Sequence, residues 1–152
     1  FRRVLFRSVS NYVDTGKVKM IFREFPLDGA ARMASALARC VPEDNFFAFI
    51  DLLFLNQDKW IGDFDNNKQI TREDVLEGLT RMGRFAGMDK AKVEACVDDK
   101  ASLAIIDANA QEAQTKYMVD ATPAFLVNGE IHKGEWPYEE LDTYLKKKLA
   151  SK

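Results

Sequence analysis

No Cys-x-x-Cys pair occurs anywhere in this chain. Its two cysteines, Cys40 and Cys96, lie far apart, so a paired-thiol redox motif has no local sequence to occupy. Histidine is nearly absent as well. The single His132 excludes a His-rich metal cluster and argues against a Ser-His-Asp triad. Long apolar runs are missing: residues 46–55 are too few for a membrane span, and they contain Asp51. There is no excess of charge of one sign. Lys and Arg total 22, Asp and Glu 24, and the net charge is -2, so no basic stripe offers itself to nucleic acid. Repeats and low-complexity stretches are absent too. What remains is a chain of 152 residues, 47% hydrophobic and 30% charged, long enough for one domain with a real core.

The chain opens on Phe1 rather than methionine. Its first eight residues, Phe-Arg-Arg-Val-Leu-Phe-Arg-Ser, match the in-frame translation of a common sequencing adapter. Residues 1–8 are therefore expected to be a non-native segment, fused to a metagenomic reading frame that begins inside a gene. A natural basic start or the remnant of a targeting segment is the weaker alternative, because no apolar h-region or small-residue cleavage site follows.

Farther along, residues 11–16 read as a helix end with Gly16 in a left-handed turn. In residues 18–25 the apolar Val18, Met20 and Phe22 alternate with Lys19 and Arg23, which predicts a strand ended by Pro26. Residues 29–41 are alanine-rich, with Met33, Leu37 and Cys40 at helical spacing. A second helix is expected over 42–60, its phenylalanines forming a broad core-facing stripe. Residues 61–69 form a polar loop. Its Asp63-x-Asp65-x-Asn67 spacing lacks the glycine and terminal glutamate of a calcium loop, and a solvated loop is expected instead. Thr71 can cap a third helix, with Asp74 in place of the usual glutamate. Two more helices follow over 89–97 and 100–118, the second with Leu103, Ile106, Ala110 and Ala113 on one side.

The most informative stretch is Val119-Asp120-Ala121-Thr122-Pro123-Ala124-Phe125-Leu126-Val127-Asn128-Gly129. It reads as a short buried strand that begins after proline and ends in an Asn-Gly turn, ahead of an amphipathic helix over 138–149. Pro123 occupies a strand-initial position, which a sheet tolerates; an ordinary edge proline is the alternative to a functional one. The order helix, Thr-Pro, strand, turn, strand, helix resembles the C-terminal half of a thioredoxin fold. The helical block before it, together with Phe22-Arg23-Glu24-Phe25-Pro26-Leu27, Gln57-Asp58-Lys59-Trp60 and Ala121-Thr122-Pro123-Ala124-Phe125, resembles the DsbA-like thiol:disulfide oxidoreductases over residues 10–149.

That resemblance implies an α/β, thioredoxin-like fold with an inserted helical domain, its first strand and active-site helix missing. Residues 9–28 and 119–152 would form the thioredoxin-like part, and 29–118 the insertion. It also implies a cis Thr122–Pro123 peptide, with the Thr122 backbone pairing to an extended substrate. Thr122 and Pro123 are thus the candidate substrate-binding residues. No residue of the chain takes the catalytic cysteine role, since Cys40 and Cys96 lie on helices of the insertion; no metal or cofactor is expected. Those two are expected to be bonded, both facing inward in a parent whose exported setting tolerates disulfides; two buried free thiols are the alternative. His132 is expected to be an exposed strand histidine rather than a group that tunes a thiolate.

Function follows the family: disulfide exchange in exported or periplasmic proteins, on reduced or unfolded polypeptides, with this chain itself inactive. The alternatives are a fragment of a glutathione-binding, kappa-class transferase or isomerase relative, and a peptide-binding remnant without catalysis. An exposed sheet edge, where the first strand would lie, is expected to favour a homodimer, with the segment 4–9 as a candidate strand to fill it.

Overall fold

Aspartates and a threonine set the helix starts in this protein. A computed structural model describes residues 8–61 and 70–150. Asp28 accepts from the Ala31 amide at 2.7 Å and opens α1, Gly29–Ala38. After a 3-10 turn at Glu43–Asn45 come α2, Phe46–Leu55, and α3, Gln57–Ile61. Thr71 and Asp74 cap α4, Arg72–Arg84, through a reciprocal capping box; the shorter aspartate closes it fully, with the Thr71 amide 2.9 Å from Asp74 Oδ2. Asp89 caps α5, Lys90–Val97, at 2.8 Å. Helix α6 spans Lys100–Tyr117, β1 Ala124–Val127, β2 Glu130–Lys133, and α7 Tyr138–Ala150.

The chain divides into two compact units, one of residues 1–23 and 112–152, the other of 24–111, and α6 contributes to both. In the second unit α1 packs against α2, α4 and α5, and α4 against α3 and α5. Leu37, Leu76, Leu79, Val93, Val97 and Ile106 are the largest fully buried aliphatic side chains among its described residues, each stabilising by about 1.5–3 kcal/mol. Cys40, just past α1, is bonded to Cys96 of α5 with their Cα atoms 6.0 Å apart. Glu24 is buried and satisfied: Arg39 Nε lies 2.7 Å from its Oε1, and Asn109 Nδ2 donates to Oε2 at 3.2 Å. A buried carboxylate needs such partners to remain charged.

Three expectations are corrected here. Residues 18–25 keep their period-2 burial, with 18, 20 and 22 turned inward, but no strand forms there. A strand is defined by its ladder, and β1–β2 is the sheet among the described residues. The helix expected over 42–60 is broken at Asn56, which leaves helical φ/ψ and caps the end of the first piece, its side chain and backbone amide both donating to the Leu52 carbonyl, at 2.9 and 3.2 Å. In its place α2 buries Phe49, Ile50 and Leu53, while Phe47, Phe54 and Leu55 stay exposed. The third concerns 4–9 as a strand: Ser8 and Val9 lie in a helical turn, Val9–Val13 being π-helical. The rest of that segment, residues 1–7 of the expected adapter scar and the Asp63–Asn67 loop lie outside the described residues.

Two outcomes follow from this packing. A Cβ added at Gly78 would lie 2.5 Å from Trp60 Cα and 2.7 Å from its carbonyl oxygen, so α3 and α4 touch backbone to backbone. Gly78→Ala should therefore destabilise by about 1–3 kcal/mol in urea titration, despite alanine's better helix propensity. The Cys40–Cys96 bond closes a span of 56 residues. Replacing both cysteines by alanine should lower unfolding free energy by up to about 4 kcal/mol, read from the denaturant midpoint.

Candidate substrate-binding site

Helix α6 ends on Met118, which has a positive φ of 52°. The Val119 amide then reaches back six residues to the Ala113 carbonyl at 3.0 Å, so the chain turns at the positive-φ Met118 while an end carbonyl of the helix is satisfied. Val119 is buried, and the next four residues form a loop with Asp120, Ala121 and Thr122 exposed. Asp120 pairs with Lys133 at 3.3 Å, tying the loop to β2. The Thr122–Pro123 peptide is cis.

Beyond the loop lies a two-residue hairpin. Asn128 and Gly129, at φ 50° and 89°, form the tight turn that the sequence predicts. It fixes the register as Val127 opposite Glu130, Leu126 opposite Ile131, Phe125 opposite His132 and Ala124 opposite Lys133. Pro123 continues the ladder, its carbonyl accepting from the Gly134 amide at 2.9 Å. Pro123, Phe125 and Val127 are thus the residues that bond across to β2. In an antiparallel pair the intervening residues point their N–H and C=O the other way, so Ala124 and Leu126 address the outer edge of β1. Proline's missing N–H falls on the inner side and leaves that outer edge intact.

Side chains alternate with the backbone. Phe125 and Val127 turn inward onto the cluster of Tyr12, Trp136, Leu141 and Leu145. Leu126 is 45% exposed, so the run is half-buried rather than a buried strand. His132 is half-buried too, and not the free strand histidine expected. It stacks on Trp136 with ring centroids 4.1 Å apart and the planes 13° from parallel. Trp136 also meets Phe125 edge-on at 5.6 Å and Tyr144 at 5.0 Å. The sequence reading passed over Trp136; its place between a turn and a helix start was the available signal. A shallow depression of about 500 Å³ is lined by Trp136, Tyr144 and four α7 neighbours, none of them from the Thr122–Pro123 loop.

Below the hairpin sits a polar knot. Tyr12 is 4% exposed and donates to Asp142 Oδ1 at 2.5 Å. Lys146 lies 2.7 Å from Asp142 Oδ2, and Tyr138 donates to Oδ1 at 3.3 Å. Burial, then the bond to Asp142, pushes the Tyr12 hydroxyl up to about 12. Lys146, then Tyr12, holds the Asp142 carboxyl below its usual range.

A family model described as thioredoxin matches residues 1–147. The chain belongs to the thioredoxin family. This thioredoxin-family chain is 28% identical over 139 residues to the "Putative protein-disulfide oxidoreductase" of Rickettsia conorii, covering 91% of the chain and 47% of that protein. With the protein of the same name from Rickettsia bellii it shares 34% over 125 residues, 78% of the chain and 42% of the relative. It thus spans less than half the length of these curated relatives. The crystal structure of Wolbachia pipientis alpha-DsbA1 superposes with a TM-score of 0.80 at 23% identity, covering 97% of this chain and 76% of that one. That of a protein-disulfide isomerase from Novosphingobium aromaticivorans gives 0.76 at 23%, covering 95% and 81%. These likenesses establish the thioredoxin-like fold, shared with DsbA. Among the described residues no cluster of three or more His, Cys, Asp or Glu could hold a metal, and no helix is long and apolar enough to cross a membrane.

The Tyr12–Asp142 bond sets a pH response. A hydroxyl whose folded pKa is raised stabilises fully below its unfolded value of 10 and loses that contribution as pH climbs toward about 12. Tyr12→Phe should cost about 1 kcal/mol at pH 7. In chemical denaturation across the alkaline range it should also flatten the fall in stability that the parent shows above pH 10.

Proposed function

We propose that this chain is the substrate-binding part of a DsbA-like thiol:disulfide oxidoreductase that acts on reduced or unfolded exported polypeptides. The observation that carries this reading is the phase of the hairpin. Pro123, Phe125 and Val127 use the inner edge, and the alternation carried one step back makes Thr122 an outward-facing backbone on an exposed loop. An extended peptide would add there as a strand, taking specificity from its side chains and affinity from its main chain. The names of the Rickettsia relatives support the chemistry. The Cys40–Cys96 bond supports an oxidising, periplasmic or other exported setting. In this reading residues 9–28 and 119–152 are the thioredoxin-like part, and 29–118 the helical insertion.

Exchange itself needs an accessible, activated thiolate. Cys40 and Cys96 are spent on each other, and Cys96 is 1% exposed. The chain as written therefore binds without oxidising. Insulin reduction and peptide oxidation should stay at background. Activity that disappears in Cys40→Ser or Cys96→Ser would overturn this. Fluorescence anisotropy with a labelled, reduced, extended peptide tests the binding half. N-methylation of a backbone nitrogen that faces the protein should weaken binding by roughly 3–10-fold, the worth of one hydrogen bond. Equal affinity for all N-methylated positions would remove Thr122 and Pro123 from the site.

A further inference from the structure

Asn128 and Gly129 carry a chemistry of their own besides setting the register. Asn128 alone among the chain's asparagines precedes glycine, and both residues are exposed. Their φ values of 50° and 89° fit a type I′ turn. The ladder closes through Val127 and Glu130, so the Gly129 amide takes no part in it. A Cβ built on Gly129 meets nothing within 4 Å, which leaves the turn peptide room to rotate. The other two-residue hairpin turn, type II′, keeps a positive φ at its first residue and moves that residue's ψ to about −120°. One rotation of the Asn128–Gly129 peptide therefore converts the first turn into the second while the strands keep their pairing. Glycine accepts the φ that either form requires of it. At the ψ of the second form the nitrogen of the next residue lies on the same side as Cβ, within reach of Asn128 Cγ.

We propose that Asn128 is a self-modification site, at which the Gly129 amide attacks the Asn128 side chain from the II′ turn. The bond between Gly129 N and Asn128 Cγ forms, and the Cγ–Nδ2 bond breaks. Gly129 gives up its amide proton, and Nδ2 leaves as ammonia. Solvent water then opens the resulting succinimide. Addition at Cγ yields aspartate. Addition at the backbone carbonyl carbon yields isoaspartate, in which the main chain runs through Cγ. The two products differ in what they do to the hairpin. Aspartate tolerates a left-handed turn position as asparagine does, so Val127 stays opposite Glu130. Isoaspartate adds a backbone carbon to a two-residue loop whose length fixes the register. Phe125 and Val127 then lose the geometry that holds them on Trp136, Leu141 and Leu145. This chemistry is independent of the chain's binding role.

Peptide mapping by mass spectrometry, on the intact chain held in mildly alkaline buffer, reads the reaction as exchange of NH2 for OH at residue 128. The amide should be lost there at a rate that rises with hydroxide. Asn11, Asn45, Asn56 and Asn109, each followed by a residue with a side chain, should stay intact. The II′ turn is a minor conformer, so the native chain should react about 10–100-fold more slowly than a free peptide of residues 124–133. Urea below the unfolding transition should leave that rate unchanged, because a turn flip exposes little surface. Asn128→Gln should lose the product, its longer side chain disfavouring ring closure. The isoaspartyl chain, separated by chromatography, should unfold at lower urea than Asn128→Asp. An Asn128 that stays intact until urea unfolds the chain overturns the proposal, as does equal loss at Asn11, Asn45, Asn56 and Asn109. Equal urea midpoints for the isoaspartyl chain and Asn128→Asp overturn its effect on the register.

Discussion

The two-residue turn at Asn128 and Gly129 governs the first unit. By accepting positive φ at both positions, it places Val127 opposite Glu130 and thereby decides the phase of every residue back to Pro123. A one-residue slip would turn Phe125 and Val127 away from Trp136 and carry Leu126 inward. It would also move the missing proline donor onto the outer edge. The inward core face, the outward backbone phase of Ala124 and Leu126, and the start of the strand at Pro123 therefore share a single geometric cause. The positive-φ turn at Met118, closed by the Val119 bond to the Ala113 carbonyl, supplies the other end of the loop, so Thr122 is held between a helix stop and a strand start.

The second unit rests on different physics. Its helices are started by side-chain caps and joined by apolar packing, with a covalent link between α1 and α5. Among its described residues one charge is buried. Glu24 is held by Arg39 and Asn109, so the extended segment before α1 is tied to both α1 and α6. Removing Arg39 alone would strand a desolvated carboxylate, a harsher change than removing the whole set together.

Much of this was legible in the sequence because it depends on local chemistry. The cap at Thr71, the turn at Asn128 and the inward face of α6 through Ile106 all follow from residues a few positions apart. What failed was what depends on distant partners. The alternation of residues 18–25 is real, yet periodicity records which side chains are covered and is silent on which backbone stands alongside. Asn56 breaks a helix that hydrophobicity alone would run through. His132 looked exposed because strand alternation does not announce a tryptophan four residues on that folds back over it. At the site, Thr122 and Pro123 were marked by resemblance, whereas the outward phase of Ala124 and Leu126 required the actual register.

The two tryptophans fall one to each unit. Trp60 is buried against α4, and Trp136 among the aromatics beneath the hairpin. Nature has in effect installed a separate optical probe in each half. With either indole replaced by phenylalanine, the remaining emission would follow the melting of a single unit. Whether the halves lose structure as one cooperative body or in succession could then be read without adding any label.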